Sequence, residues 1–183
     1  MILQRFRPTQ ARSIRDLYGV IVAQARRPGF YLHFGVPDTV DGRFDLIVLH
    51  IVLVLTRLSR GEASRDIGQD LFDVFCSDLD ANLREMGVGD LAVPKRMRAF
   101  GEAFYGRQAA YAAAFAAADP RALEKALARN IFQSEEVDAR ARRLADYVRA
   151  ALGGLETQEE RALLRGEATF PAVEAKIEAV ANR

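Results

Sequence analysis

A chain of 183 residues, half of them hydrophobic, is one domain long and carries enough apolar material for a real core. Its 26 lysines and arginines are offset by 25 acidic residues, and a net charge of +1 argues against nucleic acid as the main partner, which demands a clustered positive excess. A single cysteine, Cys76, and two histidines, His33 and His50, exclude an internal disulfide and a ligand set at zinc or haem spacing, so an intracellular protein is expected.

Met1 to Arg15 contains Arg5, Arg7, Arg12 and Arg15 but no continuous apolar stretch, so no signal peptide is read there. Residues 1–12 are expected to be a flexible basic N-terminus broken at Pro8, and residues 13–183 a single helical domain. The alternative for that terminus is contact with an anionic membrane surface, aided by Ile2, Leu3 and Phe6. Strand signals are almost absent. Ser13 to Arg26 is predicted as a first helix with Ile14, Leu17, Ile21 and Ala25 on one face, ended by Arg27-Pro28-Gly29. Phe30 to Thr39 reads as a loop whose Phe30, Tyr31 and Phe34 either tuck under the next helix, the commoner fate, or form an exposed contact patch.

The chain is organised around Thr39 to Arg60. Every residue from Leu46 to Leu55 except His50 is large and aliphatic, which suits either a membrane span or the centre of a bundle. Length decides, because a span needs roughly 20 apolar residues and this run is bounded by Arg43, Asp45 and Arg57. Asp38 and Thr39 are its expected caps. Ala63 to Met86 follows as a third helix after a turn at Gly61. Ile67, Leu71, Val74, Phe75, Leu79, Leu83 and Met86 share one face, and Asp66, Asp70, Asp73, Ser77 and Asp80 the other. That acidic stripe reads as a solvated face. The sharper alternative pairs it with the polar positions of the core helix, Arg57 with Asp66, His50 with Asp73 and Arg43 with Asp80. Asp78 and Asn82 lie nearer the apolar edge and need partners if buried.

Gly87 should close the third helix, Val88 to Val93 is a loop, and Pro94 opens a fourth helix to Ala118 in which Gly101 and Gly106 suggest a close helix crossing. Asp119 and Pro120 start a fifth, ending near Asn130. Ser134 caps a sixth, broken by Gly153-Gly154; Thr157 and Glu160 form a capping box for a seventh, and Pro171 opens a last one. The fold expected is all-α: a single-domain bundle of about seven to eight helices around the apolar helix 39–60.

No catalytic constellation is visible, and no cofactor or metal is expected. Cys76 reads as a partly buried, inert thiol. Asp78, Asp80 and Glu85 lack the spacing of a calcium loop, His50 reads as structural, and Gly35 and Gly42 flank turns rather than cradle phosphate. What stands out is a cluster of charge around the 88–93 loop, Asp78, Asp80, Arg84, Glu85, Asp90, Lys95, Arg96 and Arg98, followed by Phe104, Tyr105 and Arg107. It reads either as ion pairs tying a helix hairpin or as a recognition surface.

The run YGVIVAQARRPGFY (18–31), then GVPDT (35–39), GRFDLIVLH (42–50), QDLFDVF (69–75), DLDANLREMGVGD (78–90), PKRM (94–97) and FYGR (104–107) resembles the ubiquinol–cytochrome c chaperone family. The resemblance covers residues 17–129, and nothing beyond Arg129 carries a matching motif. It implies an all-α, non-enzymatic assembly factor of the cytochrome bc1 complex (complex III) that binds newly made cytochrome b. Mitochondrial members work with a small partner subunit near the ribosome exit. The chain shows no long mitochondrial extension, so a bacterial, cytoplasmic protein is expected, with peripheral contact at the inner membrane and the small partner left open. The partner-binding surface is placed on Phe30, Tyr31, Phe34, Asp78, Asp80, Arg84, Glu85, Asp90, Lys95, Arg96, Phe104, Tyr105 and Arg107. An all-α carrier of a lipid or isoprenoid and an enzyme of unfamiliar type are the rival readings.

Overall fold

The computed structural model describes residues 8–59 and 64–173. These form eight helices and, among the described residues, no strand: α1 (Pro8–Ala25), α2 (Gly29–Leu32), α3 (Val40–Leu58), α4 (Ser64–Glu85), α5 (Val93–Ala116), α6 (Ala122–Phe132), α7 (Ala139–Glu156) and α8 (Glu160–Leu164).

Helix α3 is the axis of the bundle. Every residue from Phe44 to Val54 is buried, and α1, α4, α5, α6 and α7 all pack against it. An apolar helix of this kind loses nothing by being enclosed on all sides, whereas its amphipathic neighbours must turn their polar faces outward. Its start is fixed locally: Thr39 Oγ1 accepts the Gly42 N–H at 3.1 Å, and a Cβ at position 42 would collide with the Pro37 carbonyl oxygen. Asp38, the other expected cap, instead pairs with Arg43 at 2.7 Å on the surface. Helix α4 ends as its sequence demands. Gly87 has φ +77°, its N–H reaches the Arg84 carbonyl and that of Val88 the Leu83 carbonyl, a closure that needs a residue free to adopt the left-handed region.

Several expected boundaries move. Helix α1 begins at Pro8, inside the segment expected to be a tail; residues 1–7 and the turn at Gly61 lie outside the described residues. The 30–39 loop begins as the short helix α2. Helix α7 starts after Asp138, not Ser134, because the Asp138 carboxylate accepts two of the free N–H groups of the first turn, those of Arg140 and Ala141. The Ser134 hydroxyl bonds within its own turn, to Glu136. Nor does Gly153-Gly154 break α7, which continues to Glu156 because Leu155 is fully buried and tertiary packing outweighs two weak helix formers. The Thr157 hydroxyl donates to the Gly154 carbonyl rather than capping α8. Gly101 and Gly106 face open space, so they mark no close crossing. Pro171 to Val173 is not helical, and whatever follows lies outside the described residues.

The pairing of the core helix with the acidic stripe does not form where it can be followed. Arg43 is bound to Asp38 and His50 to Tyr147, while Arg57 donates to the Leu155 and Gln158 carbonyls at the end of α7. Matching levels along a hairpin do not set which face a side chain leaves from. Asp78 and Asn82 do find partners: the Tyr18 hydroxyl donates to Asp78 Oδ2 at 2.7 Å, and Asn82 Nδ2 donates to the Asp78 carbonyl at 2.6 Å.

Candidate functional site

Two buried polar clusters and one exposed surface account for the residues singled out in the sequence. The first cluster centres on His50, which is fully buried. Its Nδ1 lies 2.7 Å from the Leu46 carbonyl, so Nδ1 carries the proton and donates. Nε2 is then the acceptor, and the Tyr147 hydroxyl, 2.8 Å away, donates to it. The Tyr147 oxygen in turn accepts from Gln24 Nε2 at 3.0 Å, and the same amide donates to the Pro171 carbonyl. Burial holds the imidazole pKa down to about 4, so the ring is neutral at ordinary pH. Phe30 and Phe170 pack their rings around it at 5.4 and 5.3 Å. The cluster joins α1, α3, α7 and the segment after α8, and both ring nitrogens are engaged.

The second cluster joins α3 to α5. Asp45 is 1% exposed, and Arg107 Nε lies 2.7 Å from its Oδ1 as an ion pair whose N–H is not aligned for a good hydrogen bond. Burial pushes the Asp45 carboxyl up to about 6, with Arg107 pulling the other way. The Tyr111 phenol, fully buried beside this pair, is raised by the same desolvation. The Arg107 guanidinium also covers the Phe44 ring, 5.4 Å from its centroid.

Inward packing removes three residues from the expected contact surface. Phe30 is an interior plug, with its ring edge-on to Tyr147 at 5.0 Å. Phe104, 2% exposed, sits between Phe72 and Phe75. Arg107 turns inward to Asp45. Phe104 and Arg107 were placed outside by type, aromatic or arginine, whereas the helix face each occupies points at the core; Phe30 takes the commoner of its two expected fates and packs against His50 of α3. Tyr31 and Phe34 are half-buried. Tyr105 remains 54% exposed, stacked beside Phe72 at 5.2 Å.

The junction between α4 and α5 does gather charge at the surface. Arg84 binds Asp80 at 2.7 Å and Asp90 at 2.6 Å, which fastens the loop to the helix before it, while Glu85, Lys95 and Arg96 are exposed. The ion-pair reading of this cluster therefore holds for Asp80, Arg84 and Asp90, while Glu85, Lys95 and Arg96 present open charge. Sequence reasoning missed Leu91 and misplaced Met86 beside them. Leu91 is 99% exposed, and the available signal was a large apolar side chain in a loop between two helices; Met86, expected on the apolar face of the third helix, is 61% exposed because α4 ends one residue before it, at Glu85.

Two surface grooves stand out among the described residues. One, about 570 Å³, lies between α1 and α4 and is lined by Ile14, Arg15, Tyr18, Asp70, Asp73, Val74, Ser77, Asp78 and Ala81. The other, about 300 Å³, involves Leu55, Gly68, Phe72, Phe104, Tyr105 and Gln108. Neither contains His50 or Asp45, and among the described residues no cluster of His, Cys, Asp and Glu is placed to hold a metal ion. Cys76 is partly buried, and burial raises its thiol pKa, away from the reactive thiolate. Among the described residues no helix is long and apolar enough to cross a membrane.

The class defined by this arrangement is an all-α bundle whose interior polar groups bind helix to helix and whose open surface mixes charge with isolated apolar side chains. Residues 32–170 match the family described as Ubiquinol-cytochrome C chaperone. The crystal structure of the Cbp3 homolog from Brucella abortus is similar over 94% of this chain and 98% of that one, with a TM-score of 0.78 and 40% sequence identity. A search of curated proteins gives no match. The chain belongs to the ubiquinol-cytochrome c chaperone family. The family match extends to residue 170, so the segment after Arg129, in which no motif was recognised, is part of the family domain. Its role is visible in Tyr147 and Phe170, which enclose His50.

Proposed function

We propose that this protein serves assembly of the cytochrome bc1 complex by binding newly made cytochrome b, catalysing no reaction and working from the cytoplasmic side of the membrane. The observation that carries the reading, beside membership of a chaperone family, is the α4–α5 junction. There Leu91 and Met86 stand in solvent next to Glu85, Lys95 and Arg96. Exposed apolar side chains cost about 0.8 kcal/mol per methylene left in water, and a partner surface is what would recover it. Tyr31, Phe34, Asp80, Arg84, Asp90 and Tyr105 extend the proposed contact area. Phe30 and Phe104 pack from inside against Phe34 and Tyr105. A lipid carrier fits less well, because the larger groove is lined by the carboxylates of Asp70, Asp73 and Asp78, which an apolar ligand would have to desolvate.

The test is capture of cytochrome b from solubilised membranes by the immobilised protein, compared with Leu91→Ser combined with Tyr105→Ala. Circular dichroism should be unchanged in the variant because both side chains are exposed. Enrichment of cytochrome b by the wild type and its loss in the variant is the expected result. Capture of other membrane proteins without cytochrome b would refute the partner, and equal capture by both proteins would refute the surface.

A further inference from the structure

The groove between α1 and α4 is not used by either buried cluster or by the α4–α5 junction. Its floor is apolar, made by Ile14, Tyr18 and Val74, and its wall on the α4 side carries Asp70, Asp73 and Asp78, against Arg15 on α1 as the one cation among the described lining residues. Asp78 is held in place by the Tyr18 hydroxyl at 2.7 Å, and Asp73 by the Gln69 amide at 2.8 Å. A carboxylate fixed by a neutral donor keeps its charge and loses the entropy of wandering, so it is prepared for a cation. At about 570 Å³ the groove lies within the range of sites that enclose a ligand.

We propose that this groove receives a lysine- and arginine-rich segment of the polypeptide that the protein attends, the kind of loop that joins the membrane helices of a client on its cytoplasmic side. The inference rests on the chaperone reading above and deepens it. Membrane proteins concentrate Lys and Arg in their short cytoplasmic loops, immediately beside apolar helix ends. A segment of that composition places aliphatic stems and flanking apolar residues on Ile14, Tyr18 and Val74 and its cationic heads on Asp73 and Asp78. The charge of the groove wall selects this segment over an acidic or neutral one. The α4–α5 junction then meets a different part of the same client.

The measurement is fluorescence anisotropy of labelled synthetic peptides copying the Lys/Arg-rich cytoplasmic loops of cytochrome b, with Lys/Arg→Glu versions as controls. Wild-type protein should bind the basic peptides and not the acidic ones, and raising ionic strength from about 0.05 to 0.5 M should weaken binding. Asp73→Asn combined with Ser77→Arg alters two exposed groove positions, and should weaken binding roughly fivefold to tenfold. Arg15→Glu, also exposed, should tighten it. No binding of the basic peptides, equal binding by the Asp73/Ser77 variant, or equal binding of the acidic controls overturns the proposal. So does self-association of the wild type that the Asp73/Ser77 variant abolishes, or an isoprenoid retained in native mass spectrometry that the peptides cannot displace. Capture of whole cytochrome b separates the two readings. If the wild type captures it and the groove variant does so equally, the groove proposal falls and the chaperone reading stands; if the wild type binds the basic peptides yet captures no cytochrome b, the groove stands and the chaperone reading falls.

Discussion

Replacing His50 by glutamine, or Asp45 by asparagine, tests the interior electrostatics of α3 through the slope of stability against pH. Burial lowers the His50 pKa from 6.5 to about 4, so its neutral form contributes stability that is present above about pH 6.5 and lost as pH falls through 4. Asp45 runs the other way. Its carboxyl is raised from 3.8 to about 6, so its contribution is complete below about pH 3.8 and lost as pH rises through 6. Each shift corresponds to about 3 kcal/mol at its limit. Over the interval they share, the two slopes nearly cancel in the wild type. Removing His50 should produce a stability deficit, relative to wild type, that narrows by about 3 kcal/mol between about pH 7 and pH 4. For Asp45→Asn the difference should move oppositely, becoming more favourable to the variant by about 3 kcal/mol as pH rises over the same range. Urea unfolding followed by circular dichroism at half-unit pH steps reads both. Carboxylates elsewhere titrate in all three proteins and drop out of the comparison. Stability curves that run parallel, with neither difference changing by more than about 0.5 kcal/mol, would refute the assignment of a neutral buried imidazole and a strained buried carboxylate.

Further predictions rest on particular contacts. Arg107→Met strands the Asp45 carboxylate in the core and should lower stability by about 3–5 kcal/mol, whereas Asp45→Leu with Arg107→Met should recover most of the loss, as a double-mutant cycle in urea would show. Gly101→Ala and Gly106→Ala meet open space in α5 and should each raise stability by about 0.5–1 kcal/mol, read as an increase in melting temperature. Gly166→Ala should do the reverse, by more than about 1 kcal/mol, because Gly166 has φ +79° and a Cβ there would press on Asp16 and Leu17. Thr39→Ala, which removes the cap on α3, should cost about 1 kcal/mol in the same assay, and an unchanged melting temperature would remove that cap from the account.

The all-α class, the central position of α3 and the ends of α3 and α4 were legible in the sequence because their causes are local, and the family was legible only through resemblance of motifs spread over residues 17–129. A run of aliphatic residues too short for a bilayer must be enclosed, and Thr39 and Gly87 act on backbone groups within a turn of themselves. Which polar residues meet was not legible. Asp45 and Arg107 come from different helices, and His50 lies 97 positions before Tyr147. Their pairing depends on how α5 and α7 are rotated against α3, a choice made by the whole set of apolar faces at once. The same holds for the surface: Phe104 and Tyr105 are neighbours in sequence, and only the packing of α4 on α5 decides that the first is core and the second is open. Residue type states what a side chain can do, but burial decides whether it does so inside the bundle or against another molecule, because it sets the desolvation that every contact must overcome.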